Sequence, residues 1–291
     1  PQLSAQVRAV HSLVAEAVIA QRCRLAKVQD TSDIASDIHD FVSPYSRRSG
    51  LPVPIVASEI SLPSKAAEIP LLSCLPPLDA ARWSFPNTLL RSEPLLAPRP
   101  FYSVKKGEYL PLIKRLQAAG LITFIDNPIC INGLFAVMKP DGSQRLIIDH
   151  RQGGSWFVEP DRVDLPTADC FASLHAVKGE QIETAHRDID NYYWRFLLPS
   201  WMLPYCAIKP VRRQDVGLKG KGMVYPAFIA LLMGFKWSVY LGQIAHLNIL
   251  YTSTSLRPCD ALSRTNDSRL DRLRHVVCLD DIVLMAPAGR G

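Results

Sequence analysis

The chain has 291 residues, 48% of them hydrophobic, with a formal charge of +6 and a pI near 9.0. That is enough apolar content for one large domain or two small ones, and the mild basic excess is compatible with a polyanionic partner without requiring one. Seven singly placed cysteines with no CxxC pair argue against a disulfide framework or a cysteine zinc site, and no signal-peptide pattern opens the chain.

In chain order, residues 4–28 place Val7, Val10, Leu13, Val14, Ala17 and Val18 at helical spacing, which predicts an amphipathic packing helix. Residues 51–100 hold ten of the 23 prolines, which rules out long helices and central strands. This stretch reads as an extended linker or a surface wrap, so residues 1–100 are expected to be a helical and Pro-rich extension or linker. From residue 101 the texture changes. "GEYLPLIKRLQAAGLI" predicts a helix ended by Gly120. Apolar runs Leu134–Met138 and Leu146–Ile148 flank Pro-Asp-Gly, which predicts a β-hairpin. "AHRDIDNYYW" predicts a strand running into a turn or helix, and "YCAIKPV" a further strand. "YPAFIALLMGFKWSVYLGQIAHLNIL" predicts a long buried helix interrupted near Gly234. Its most apolar part, Val224–Phe235, is too short to span a bilayer, so no membrane association is expected. "SLRPCDALSRTNDSRLDRL" reads as an exposed, turn-rich excursion, and residues 274–286 as a final hairpin. Strands and helices without regular alternation point to an α+β fold.

That last hairpin sets Asp280 and Asp281 between two apolar runs, Val276–Leu279 and Ile282–Ala286. An Asp-Asp turn alone is ordinary. Two carboxylates between buried strands nevertheless repel each other and need a counter-charge. A hard divalent cation supplies one and takes carboxylate oxygens readily. A further carboxylate is available from Asp188, at the end of the predicted "AHRD" strand, and Asp190 shares its face if that strand continues. On neighbouring strands these groups could share two cations about 4 Å apart.

Read in order, the segments resemble a reverse transcriptase, specifically its fingers and palm, with a retrotransposon-like wording. The resemblance covers roughly residues 105–286. It rests on the hairpin residues Phe135, Ala136, Val137, Lys139, Asp141, Gly142, Arg145, Asp149 and Arg151; on Asp188 followed by Tyr193; on Met233, Gly234 and Phe235 with downstream Gln243; and on "CLDD" at the last hairpin. The family's usual aromatic before x-Asp-Asp is Cys278 here, and an asparagine expected shortly after Arg151 is replaced by Gly153-Gly154.

The resemblance implies a right-hand polymerase whose palm is a small antiparallel sheet backed by helices, spanning residues 101–291 and ending before a thumb. It implies RNA-directed DNA polymerase activity, with two Mg²⁺ ions (or Mn²⁺) held by Asp188, Asp280 and Asp281 as metal ligands and catalytic residues. The partners would be an RNA or DNA template with primer and a dNTP. Separately, the singly scattered cysteines, odd in number, predict reduced thiols and an intracellular location, cytoplasm or nucleus. Nucleotide binding would fall to Lys139, Arg145, Ile189, Tyr193, Met233, Gly234 and Gln243. Lys139 and Arg145 are otherwise exposed strand cations, Gly234 a packing glycine and Gln243 a helix surface residue. Asp149 and Arg151 read as a structural pair. A bulky Tyr193 ring beneath the sugar would exclude a 2′-hydroxyl, with Tyr192 as its rival in register. An RNA-dependent RNA polymerase and an inactive nucleic-acid-binding relic are the alternatives. The basic cluster Arg212, Arg213, Lys219 and Lys221 reads as a solvated loop before a phosphate-binding one.

Overall fold

The computed structural model describes residues 51–167, 170–171, 174–175, 181–263 and 269–288. The predicted helix over residues 4–28 lies outside them. The described chain is a mixed α/β structure of small, mostly antiparallel sheets and several helices.

The Pro-rich segment is built into the core, which excludes the linker reading. It contributes β1 (Pro52–Val53), β2 (Ile69–Pro70), α1 (Leu71–Cys74) and α2 (Pro77–Ser84). The prolines sit where proline is tolerated: in very short strands, and at the first position of α2. Ile55, Leu71, Trp83 and Leu89 are fully buried and belong to the same core cluster as Leu112, Phe228 and Leu241. Trp83 stacks on Trp201 and meets Phe157, Phe235 and Trp237. Burying one such ring contributes roughly 5 kcal/mol of transfer free energy, which a mobile linker would forfeit.

α3 (Tyr109–Ala118) buries Leu112, Ile113 and Leu116 and stops before Gly120, whose φ of +70° favours glycine. β3 (Ile122–Ile125) follows. β4 (Gly133–Met138) and β5 (Gln144–Asp149) form the expected hairpin, with Leu134 opposite Ile148, and β1 extends this sheet. A single turn, α4 (Arg151–Gly154), comes next. Gly153 there is required by crowding: a Cβ would lie 2.4 Å from the Tyr205 carbonyl and 2.5 Å from the His150 ring.

β6 (Ile182–Asp188) ends in the short α5 (Tyr192–Arg195), followed by β7 (Phe196–Leu197), which pairs in parallel with β2. "YCAIKPV" is not a strand. Residues Ser200–Tyr205 form a 3-10 helix, Ala207 makes one bridge to Ala227, and β8 is only Val211–Arg212. Pro204 and Pro210 punctuate this stretch and deny it a continuous ladder. The predicted long helix also divides. Its first part is a strand, β9 (Met223–Phe228), lying between β3 and β8. Gly234 then turns the chain at φ +110°, and only α6 (Ser238–Ser253) is helical. A fully buried apolar run has no period to separate strand from helix, and Pro226 would break a helix interior.

β10 (Arg274–Cys278) and β11 (Asp281–Pro287) form the last hairpin, and β6 joins the open side of β11. α6 packs behind β10. The polar stretch before this hairpin is more than an exposed excursion. Leu262 and Leu270 are buried, Asp260 accepts from Arg272 at 3.0 Å, and the buried Arg274 donates to the Arg269 and Cys259 carbonyls. Among the described residues, no helix is long and apolar enough to cross a membrane.

Candidate metal centre at the hairpin tip

Strand register assembles the carboxylates. β6 runs antiparallel to β11 with Asp188 directly opposite Asp281, so both side chains share one face. Asp280 occupies the turn between β10 and β11. One oxygen from each of Asp188, Asp280 and Asp281 lies within 4.8 Å of the others. Asp190 does not join them. The strand stops at Asp188, and the Asp190 carboxylate accepts from the Asn191 amide at 2.7 Å.

The turn is held open from behind. Leu279 adopts a left-handed φ of +55°, which is unfavourable for a branched side chain. Buried Gln243 on α6 secures it from both sides: its Nε2 donates to the Val277 carbonyl and its Oε1 accepts from Leu279 N–H, each at 2.8 Å. His246, one turn along, donates Nδ1–H to the Leu279 carbonyl at 2.6 Å. Ile189 N–H donates to the Asp280 carbonyl at 3.0 Å, tying the end of β6 to the turn.

The electrostatics follow from this placement. Asp280 is half-buried, and burial pushes its carboxyl above the ordinary aspartate value. Asp281 and Asp188 push it further, while the positive charge of Arg145 opposes them. Asp281 is 48% exposed at its side chain and accepts a hydrogen bond from His186 Nε2 at 2.9 Å. Three clustered carboxylates, with Asp280 raised, concentrate negative charge at the hairpin tip. The donor set, all oxygen and partly solvated, fits a hard divalent cation such as Mg²⁺.

The tyrosines separate clearly. Tyr192 is buried and donates its hydroxyl to the Gly242 carbonyl at 2.7 Å. Tyr193 is half-buried on the side of the turn, and burial with the Asp280 and Cys278 charges pushes its phenol up to about 12. Both rings close on Gly242, where an added Cβ would stand 3.2 Å from each.

The remaining predicted residues are spread out. Arg145 is exposed on β5 and lies within the field of Asp280. Lys139 instead pairs with Asp141 at 3.1 Å across the β4–β5 turn. Ser143 and Lys139 together hold the Asp141 carboxyl down to about 2. Met233 accepts from Ile148 N–H through its carbonyl, and a Cβ on Gly234 would come within 2.1 Å of the Ile148 carbonyl. Both therefore strap the chain against β5. Gln243 is 2% exposed, with its amide engaged by the Val277 carbonyl and the Leu279 N–H behind the turn. Asp149 and Arg151 form the expected structural pair at 2.6 and 2.7 Å. Burial raises the Asp149 carboxyl, but Arg151 and Phe101 N–H outweigh it and hold it low. In the basic cluster, Arg213 pairs with Asp126, while Arg212, Lys219 and Lys221 are exposed.

Sequence reading missed His186, Gly242 and His246. His186 was open to it, since it stands two residues before Asp188 in a strand and must share its face.

No family model matches the chain, and no curated protein matches it. Among solved structures, it is similar to a foamy viral protease-reverse transcriptase in complex with double-stranded DNA. The TM-score is 0.43 at 13% identity, over 97% of this chain and 39% of that one.

Proposed function

We propose that the chain is the fingers and palm of an RNA-directed DNA polymerase, transferring a deoxynucleotide from a dNTP to a primer 3′-hydroxyl. The observation that carries this reading is the convergence of Asp188, Asp280 and Asp281 within 4.8 Å at a hairpin tip. The ordered sequence motifs supply the reaction class. Asp188, Asp280 and Asp281 would hold two divalent ions, Mg²⁺ with Mn²⁺ as a substitute. Such ions activate an attacking hydroxyl and stabilise the charge on a transferring phosphate.

The chain's own residues do the rest. Gln243 and His246 fix the turn, so the carboxylates are oriented before any ligand arrives. Arg145 brings positive charge toward the cluster, where it would neutralise the triphosphate. Tyr193 presents a neutral ring beside Asp280, where a sugar 2′-hydroxyl would collide with it.

A primer-extension assay on an RNA template with Mg²⁺ tests this. Wild type should add dNTPs, Asp280→Asn should lose at least about 10³-fold in rate, and Tyr193→Val should admit rNTPs. Full activity in Asp280→Asn would overturn the assignment. Wild-type preference for rNTPs would mark an RNA polymerase instead. Salt-dependent primer–template binding without incorporation would mark an inactive relic.

A further inference from the structure

We infer that His186 is a positioning residue for the metal centre, orienting the Asp281 carboxylate through its Nε2–H. The inference rests on the metal-binding reading above and deepens it.

Strand alternation puts His186 and Asp188 on the same face of β6, and the register sets Val283 opposite His186 and Asp281 opposite Asp188. His186 therefore reaches Asp281 along the cross-strand diagonal. Its Nε2 stands 2.9 Å from Asp281 Oδ1. A carboxylate only accepts, so Nε2 carries the hydrogen. The bond engages one oxygen of Asp281 and restrains rotation of the carboxylate about its Cβ–Cγ bond.

The pair is not there to hold the fold together. The two side chains are 60% and 48% exposed, and an exposed pair of this kind contributes little to folding. Its effect falls on ligand geometry. Hydrogen-bonded partners of metal-binding carboxylates fix their orientation, and losing one typically weakens metal affinity 10- to 100-fold. His186 touches Asp281 and lies outside the group of three mutually close carboxylates. A supporting role fits that position better than a direct ligand role.

Mn²⁺ titration of the whole chain, followed by the electron paramagnetic resonance signal of free Mn²⁺, tests the inference without turnover. His186→Ala should weaken Mn²⁺ binding about tenfold with an unchanged melting temperature. His186→Gln, whose amide N–H replaces Nε2–H, should recover to within about threefold of wild type. Equal weakness in the Ala and Gln variants would overturn the positioning role, because the imidazole nitrogen itself would then be required. Wild-type affinity in His186→Ala, with affinity lost in Asp280→Asn, would overturn this inference and leave the metal centre standing. Wild-type affinity in both variants would overturn the metal centre and the inference with it.

Discussion

The proposed metal centre joins two regions built on opposite principles. The β10–β11 hairpin is anchored: four of the five β10 residues are buried, and two buried side chains of α6 grip the turn. Among the described residues β6 is an edge strand, exposed at all seven positions and held by its ladder to β11, by the Ile189–Asp280 bond and by the His186–Asp281 bond. The anchored turn thus positions Asp280 and the start of β11, and His186 from β6 holds the Asp281 carboxylate, whereas Asp188 is placed by strand pairing. Rigid elements give the more accurate site geometry, so the hairpin sets the site and β6 completes it.

The contrast can be broken most strongly at Gln243. Gln243→Ala leaves Leu279 N–H and the Val277 carbonyl unpaired behind the turn. Urea unfolding should show a loss of about 3 kcal/mol, together with weaker metal binding. His246→Ala removes one bond to the turn and should cost about 1 kcal/mol by the same measurement.

A smaller effect comes from Asp280 and depends on pH. Its carboxyl is raised in the fold by burial and by its acidic neighbours. The folded chain therefore holds that proton more tightly than the unfolded chain does. The resulting stability is complete below the unfolded aspartate value and is lost as pH rises through the raised one. In chelator at neutral pH, Asp280→Asn should melt above wild type, and the advantage should vanish in acid. Added Mg²⁺ should reverse the order by stabilising wild type alone. The smallest effect is expected on the edge strand. Glu183→Ala, exposed on β6, should stay within about 0.5 kcal/mol of wild type in the same urea experiment.

The same two regions differ in what the sequence discloses. The final hairpin was legible because apolar runs on both sides of Asp280-Asp281 leave little else for the chain to do. The "AHRD" strand has no such apolar run, being exposed throughout, but once it is read as a strand, alternation places His186 and Asp188 together. The anchoring was not legible. Gln243 reads equally as a helix surface residue, because nothing local says that its amide will meet backbone groups more than thirty residues away. Val224–Phe235 has no hydrophobic period, so strand and helix look alike until Pro226 is weighed. The Pro-rich segment misleads in another way. Proline forbids long regular elements but does not forbid burial, and Trp83 shows how much core such a segment can supply.

The most direct test asks whether the two regions share an ion. Calorimetric titration with Mg²⁺ should give saturable binding to wild type that is weakened at least tenfold in both Asp188→Asn and Asp280→Asn. Unchanged binding in Asp188→Asn, with loss only in Asp280→Asn, would show that the edge strand takes no part and would contradict the account.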